Sequence, residues 1–189
     1  LVLDANLSIN TIAIDLNGEI GPFQELLIAG AIDYKLDALG ANITLKTNGK
    51  FADLADLSSP DIKLQLEATE IKTLLEALKL NPVTQGPAKV EARLKTTDNV
   101  IDTAIQGHVG EFNINGLLTT RDIASLNDLK LSIMSDGPSA RTIGVLAGIN
   151  TLPDSPYTLK IKADRIPGGW RISHVNVETG GIRINGSGM

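Results

Sequence analysis

The side chains that could run covalent chemistry are few in this sequence, and their spacing does not assemble them. His108 and His174 are the two histidines. Ser173 precedes His174, but adjacent residues of a strand point to opposite faces. A Ser–His hydrolase would also need an orienting acid and an oxyanion site. Asp53, Asp56 and Asp61 cluster along the chain without the oxygen-ligand spacing of a calcium loop, which is the pattern of solvated turn residues. The stretch from Gly137 to Gly148 contains glycines but lacks the Gly-Lys-Ser/Thr ending of a phosphate loop, and reads as a helix start. With no cysteine, disulfides, thiolate metal sites and a thiol nucleophile are all removed. These observations predict no catalytic residue, no metal site and no cofactor, and a protein that is not an enzyme.

The bulk composition narrows the partners. The 189 residues carry 17 basic and 22 acidic side chains, a formal charge of -5. A nucleic-acid surface would need clustered Lys and Arg, so no nucleic-acid partner is expected. Leu, Ile and Val supply 55 residues against six aromatics, enough for a sizeable core and far too apolar for a disordered chain. No segment approaches the roughly 20 apolar residues of a membrane helix. The opening Leu1 suggests a part of a longer protein, with any anchor or export signal elsewhere.

What must position these side chains is sheet. Leu1, Leu3, Ala5, Leu7 and Ile9 alternate with Asp4, Asn6, Ser8 and Asn10. The same period of two marks 12–16, 28–36, 43–46, 62–68, 90–94, 101–105, 129–133, 159–163 and 182–184. Such alternation gives each strand one apolar and one wet face, as in antiparallel sheet. Asn17-Gly18, Asn48-Gly49, Asp98-Asn99, Pro167-Gly168-Gly169 and Asn185-Gly186 read as the turns between them. Two helices interrupt the series. Over 69–80, Ile71, Leu74, Leu75 and Leu78 fall at helical spacing, with Thr69 as N-cap and Asn81-Pro82 as stop. Over 138–148 a weaker helix carries Ala140, Ile143 and Ala147 on one side. Trp170, the one large aromatic, reads as the anchor of a hairpin, or as a residue touching lipid.

The helices belong to a repeat. Asp53–Leu57 matches Asp122–Leu126, Asp61–Leu66 matches Asp128–Ile133, and Gly110–Gly116 matches Gly180–Gly186. The implied organisation is N-terminal strands over 1–42, as the tail of a preceding copy, then β-groove repeats over 43–116 and 117–189. Repetition favours an array growing along one axis over a closed globule. The fold expected is mainly β: an elongated, curved antiparallel sheet with short interrupting helices.

A sheet with one apolar face must cover it with a second sheet, by closing into a barrel, or with a ligand. Smooth aliphatic walls suit flexible acyl chains; an ordinary self-packed core would read the same way in composition. Each methylene removed from water contributes roughly 0.8 kcal/mol, on the order of 12 kcal/mol for a fully buried 16-carbon tail.

The order of short motifs in the second repeat resembles the AsmA family. Ser135-Asp136-Gly137-Pro138-Ser139-Ala140 and 143–148 look like its "GPS" turn and short helix. Leu152-Pro153 and Pro156-Tyr157 look like its "LP…PY" loop. Gly169-Trp170-Arg171-Ile172, leading to Gly181 and Ile184-Asn185-Gly186, is similar to its closing strands. The likeness covers 126–188 well and 57–116 more loosely, where Glu70 and Ile71 replace Pro-Ser and Val100 replaces Trp. The resemblance implies a periplasmic protein anchored in the Gram-negative inner membrane by an N-terminal helix. It also implies an apolar groove, similar to that of the chorein-type bridge proteins, that carries phospholipids between inner and outer membranes and maintains outer-membrane integrity. The positions expected to line it are Ile62, Leu64, Leu66, Val90, Leu94, Leu129, Leu131, Ile133, Leu159 and Ile161. The rival expectation is a scaffold for outer-membrane assembly proteins, binding client strands at exposed sheet edges around a self-packed core.

Overall fold

A computed structural model describes residues 1–9, 12–22, 31–40, 42–51, 60–77, 84–121, 125–146, 149 and 151–188. These form one mainly β unit whose twelve strands pair strictly in chain order, each antiparallel to the next. The strands are β1 (Val2–Ile9), β2 (Ile12–Ile20), β3 (Ile32–Gly40), β4 (Ile43–Phe51), β5 (Pro60–Ala68), β6 (Ala88–Thr97), β7 (Val100–Val109), β8 (Phe112–Thr120), β9 (Lys130–Gly137), β10 (Tyr157–Ile166), β11 (Gly169–Thr179) and β12 (Ile182–Gly188). β1 and β12 do not meet, so the sheet is open and not a barrel. Two helices, α1 (Ile71–Ala77) and α2 (Ala140–Leu146), join β5 to β6 and β9 to β10. No helix among the described residues is long and apolar enough to cross a membrane.

The alternating segments fall on strands where they are described; residues 28–30 and Asn10 lie outside the described residues. β8 and β11 were not marked by the period of two. In β8 the adjacent Leu117 and Leu118 break the alternation. In β11 the register against β12 shifts between Ile172 and Val175, so the faces exchange partway along the strand.

Several expected turns are corrected. Asn17-Gly18, Asn48-Gly49 and Asn185-Gly186 lie inside β2, β4 and β12. The connections do use residues at positive φ: Asp98 and Asn99 between β6 and β7, Gly110 between β7 and β8, Gly168 between β10 and β11, and Gly180 and Gly181 between β11 and β12. Asp98-Asn99, with φ of 51° and 59°, has the paired left-handed residues of a tight hairpin.

The start of α1 is also corrected. Glu70, not Thr69, serves the helix N-terminus: its carboxylate accepts from the Lys72 N–H at 3.1 Å and the Gly86 N–H at 2.8 Å. The Thr69 hydroxyl instead donates to Asn42 Oδ1. The Ile71 N–H donates to the Gly86 carbonyl, and the Ala140 N–H of α2 donates to the Ser155 carbonyl, each at 2.9 Å. Both helices are thus tied at their first residue to the segment entering the next strand. The ends expected at 78–80 and 147–148 lie outside the described residues, as do 53–57 and 122–124 of the repeat.

Buried residues collect at the two ends of the strands. At α1, its own Ile71, Leu74 and Leu75 pack with Ala68, Ala88, Ile43 and Val109 of the sheet. At α2, its own Ala140 and Ile143 pack with Phe112, Tyr157, Leu152 and Leu159. At the opposite strand ends Ile32, Pro60, Ile101 and Thr120 are buried. Ile101 is 1% exposed. Ile101→Ala is therefore expected to cost about 2–5 kcal/mol, read as a lower denaturant midpoint with an unchanged slope.

Between β8 and β9 the turn is held by Asp128, whose carboxylate accepts from the Thr120 hydroxyl and from the Arg121 N–H. The Thr120 hydrogen bond, helped by the Arg121 N–H, holds the carboxyl below its ordinary value of 3.8. A depressed folded-state pKa gives stability that is present above the unfolded pKa and is lost as pH falls through the folded one. Asp128→Asn is thus expected to lower the unfolding midpoint at neutral pH. The gap from the parent protein should close on acidification below the usual carboxylate range. A gap unchanged from pH 7 to strongly acid conditions would remove Asp128 from this role.

Candidate functional site

Cross-strand partners in a sheet share a face, so the register sorts every strand residue. Beginning from β5, three rows run across the sheet. Ile62 stands in line with Tyr34, Gly49, Leu94, Thr103, Leu118 and Leu131. Leu64 stands in line with Leu36, Thr47, Ala92, Ile105, Gly116, Ile133 and Ile161. Leu66 stands in line with Leu45, Val90, Gly107, Ile114, Ser135 and Leu159. Nine of the ten predicted lining positions therefore share one face and three adjacent rows. The tenth, Leu129, lies just before β9 on the same face, its carbonyl accepting from the Arg165 N–H at 2.7 Å. Leu36, Leu45 and Ile105 join them from segments whose alternation already marked them. Ile114, Val175 and Val177 join from β8 and β11.

From β2 to β10 these rows are half-buried, apart from the buried Ser135 and Ala163. The rows at either end hold the buried residues described above, with half-buried Ile43, Phe51, Thr96, Val109 and Gly137 among them. The apolar face is thus a strip half-buried along its middle and more fully covered toward both long sides. Rows two residues apart lie about 7 Å from each other, and twelve strands span about 50 Å of sheet. Its lining is mainly aliphatic; Tyr34, in the first row, stacks on Phe51 at 5.6 Å, and Phe112 meets Tyr157 at 6.3 Å at the end under α2. Two pairs of hydroxyls on this face bond each other. Tyr34 bonds Thr47 at 3.1 Å, and Ser135 bonds Tyr157 at 3.0 Å. Burial raises the Tyr157 phenol above its ordinary pKa, against the pull of the Ser135 bond, so it stays neutral through the physiological range.

Glycines concentrate on this same face: Gly18, Gly49, Gly107, Gly116, Gly137, Gly186 and Gly188. At Gly49 an added Cβ would meet the Asp61 carbonyl oxygen and the Ile62 Cα; at Gly107 it would meet the Lys89 carbonyl oxygen and the Val90 Cα. Neighbouring backbone occupies the space a side chain would take, which is the use of glycine where a sheet bends.

The opposite face is polar. Asp33–Lys50, Glu67–Lys89, Asp61–Arg93 and Glu178–Arg183 pair across it, all well exposed, and each such pair contributes roughly 0–1 kcal/mol. The Lys89 hydrogen bond lowers the Glu67 pKa, and the reciprocal bond raises that of Lys89. A hollow of about 670 Å³ opens on this polar face, around Lys63, Arg93, Ala104, Leu117 and Met134. It is the dip left by Ala104 among longer side chains of mixed charge, and it lies on the far side of the sheet from the aliphatic strip.

The remaining candidates for chemistry stay apart. His108 and His174 stand on β7 and β11, and the Ser173 hydroxyl donates to the Lys162 carbonyl rather than to His174. Asp61 faces Arg93 at 3.7 Å; Asp53 and Asp56 lie outside the described residues. Among the described residues no group of His, Asp and Glu is placed to hold a metal ion. Trp170 lies opposite Arg165 across the β10–β11 hairpin, with the guanidinium 5.5 Å from the ring centroid. Comparison with protein-family models, with curated proteins and with solved structures returns no match.

Proposed function

We propose that the half-buried aliphatic strip is a binding surface for phospholipid acyl chains, and that the chain works as a segment of a lipid carrier. The observation that carries this reading is the strip itself: three continuous rows, mostly of Leu, Ile, Val, Ala and Gly with Tyr34, Thr47, Thr103 and Ser135 among them, open along the middle of a sheet that does not close. Flexible tails need no directional partner there, and head groups remain in water. The glycines support a sheet bent toward its apolar side, which makes that side the inner one. Transport on such a surface is diffusive and requires no covalent step.

The resemblance of the motifs to the AsmA family supports a periplasmic setting, in a parent anchored to the inner membrane. The cargo would be phospholipid moving between inner and outer membranes, with outer-membrane integrity as the outcome. The scaffold reading requires a covered apolar face, and the half-exposed middle rows favour the carrier. Native mass spectrometry with lipid extraction, on protein purified gently from bacterial membranes or periplasm, tests it. Adducts at phospholipid masses are expected. A clean unliganded mass, under conditions where a known lipid carrier keeps its cargo, would return the scaffold to the lead.

A further inference from the structure

We propose that the middle of the polar face is a docking site for an acidic, extended segment of a partner protein, gripped by cations on either side of an apolar centre. From β4 to β10, two neighbouring rows of that face carry Lys46, Lys63, Arg93, Lys160 and Lys162 against a single carboxylate, Glu91. Glu91 is already engaged, accepting from the Gln65 amide at 3.0 Å. The chain as a whole has a formal charge of -5, so this excess is local and of opposite sign. The adjoining row behaves differently: Asp33, Lys50, Asp61, Lys95 and Asp102 alternate in sign across consecutive strands. In the basic rows Lys63 stands directly opposite Arg93 instead, and Lys160 and Lys162 share one face of β10. Like charges set opposite each other destabilise a sheet. Arg93 reaches Asp61 in the next row at 3.7 Å, but Lys63, Lys160 and Lys162 have no ion pair among the described residues.

Between the two groups of cations lies the apolar centre. Leu117 and Met134, on the adjacent strands β8 and β9, are 46% and 41% exposed on this otherwise polar face. The hollow of about 670 Å³ lies on one side of them, beside Lys63 and Arg93. A second hollow, of about 610 Å³, lies on the other side, around Lys160, Lys162 and His174. An apolar centre inside a charged rim is the make-up of a protein interface. From β6 to β10 there are four strand spacings, about 19 Å, which an extended peptide crosses in about six residues. Such a segment sets an acidic side chain into each hollow and an apolar one over Leu117 and Met134. The exposed amides of Gln106 and Asn115, in the row between the cations, face its main chain. A bilayer surface would answer the lysines with phosphates, but its headgroup layer would leave Leu117 and Met134 in polar surroundings. Charge and apolar centre together therefore fit an acidic protein segment better than a membrane.

The probe is the peptide acetyl-Glu-Glu-Leu-Leu-Glu-Glu-amide, titrated at low salt into the isotope-labelled chain and followed by NMR. Shift changes are expected around Ala104, Leu117, Met134 and Lys162, and should saturate. The double variant Lys63→Gln with Lys162→Gln should bind about tenfold more weakly or worse. Lys95→Gln makes the same chemical change in the alternating row and should bind like the parent chain. Lys63→Gln relieves the opposed pair with Arg93, so its unfolding midpoint should not fall, and weaker binding cannot be laid to a damaged fold. A peptide with Gln for each Glu, and one with Ser for each Leu, should both lose most of the binding. Raising salt from about 50 mM to about 500 mM should weaken the parent complex. Absence of shift changes with the acidic peptide would overturn the proposal, as would equal binding by the double variant or by the Gln peptide. Phosphatidylglycerol vesicles form the second arm. Vesicle binding that depends on Lys63 and Lys162, with none of the peptide, would give this face to a membrane and overturn the proposal too.

Discussion

Leu64→Asp is expected to strip phospholipid from the purified protein by about 100-fold or more, while Lys63→Asp, one residue away on the same strand, leaves retention unchanged. Leu64 occupies the middle of the three rows, with Thr47 and Ala92 directly beside it. A carboxylate there would lie beneath any acyl chain on the strip. It would either be covered while charged, at a cost of several kcal/mol, or hold water on the surface and break the apolar track. Each 1.4 kcal/mol is a tenfold change in affinity, so about 3 kcal/mol gives the expected loss. Lys63 points to the other face, where it lies across from Arg93 and Asn48; an aspartate there meets solvent and a guanidinium. Leu131→Asp, in the first row on β9, should behave like Leu64→Asp. The measurement is the phospholipid adduct in native mass spectra, with circular dichroism confirming the sheet. Equal retention by folded Leu64→Asp and Lys63→Asp proteins would remove lipid from this face.

The face of each residue was legible before the structure because a strand has a period of two and the lining positions obey it. Leu64 and Leu66 could not point away from Ile62 without breaking the strand. Which strands lie side by side is a longer-range property, decided by hairpin lengths and by two helical crossings, and the alternation is silent on it. Local irregularity hid the rest. The bulge near Ile172 places apolar residues of β11 out of phase, and the Leu117-Leu118 pair does the same in β8. Asn-Gly was read as a turn because that dipeptide suits left-handed backbone. In β2 and β4 its glycine instead answers a steric demand from the next strand, invisible without the register. Thr69 looked like the cap of α1 from its type alone. Glu70 took the role because its carboxylate reaches both the Lys72 and Gly86 N–H groups, and Gly86 belongs to the far side of the crossing.

Two glycines on the same face provide the sharpest stability contrast. Gly107→Ala is expected to destabilise by about 3 kcal/mol, the upper end of the usual overpacking range. Gly116→Ala is expected to change stability by less than about 1 kcal/mol, because a less flexible unfolded chain offsets any local crowding. At Gly107 the backbone has φ of 156°, and a Cβ would run into the Lys89 carbonyl oxygen and the Val90 Cα of β6. These are backbone atoms of a paired strand, so relief requires β6 and β7 to part, with ladder hydrogen bonds lost on either side. At Gly116 the nearest atoms to a Cβ are Ile105 Cβ at 3.7 Å and the Ser132 carbonyl oxygen at 3.8 Å, which is ordinary contact. Both substitutions add one methyl group to the same apolar surface, so hydrophobic gain cannot separate them. Urea unfolding midpoints of the two variants would measure the difference. If the two alanines prove equally mild, the close approach of β6 to Gly107 is not a constraint on the sheet. The account of its bending toward the apolar face then loses its main support. If Gly107→Ala alone is costly, and also weakens lipid retention while Gly116→Ala does not, then the bend and the binding strip belong to one device.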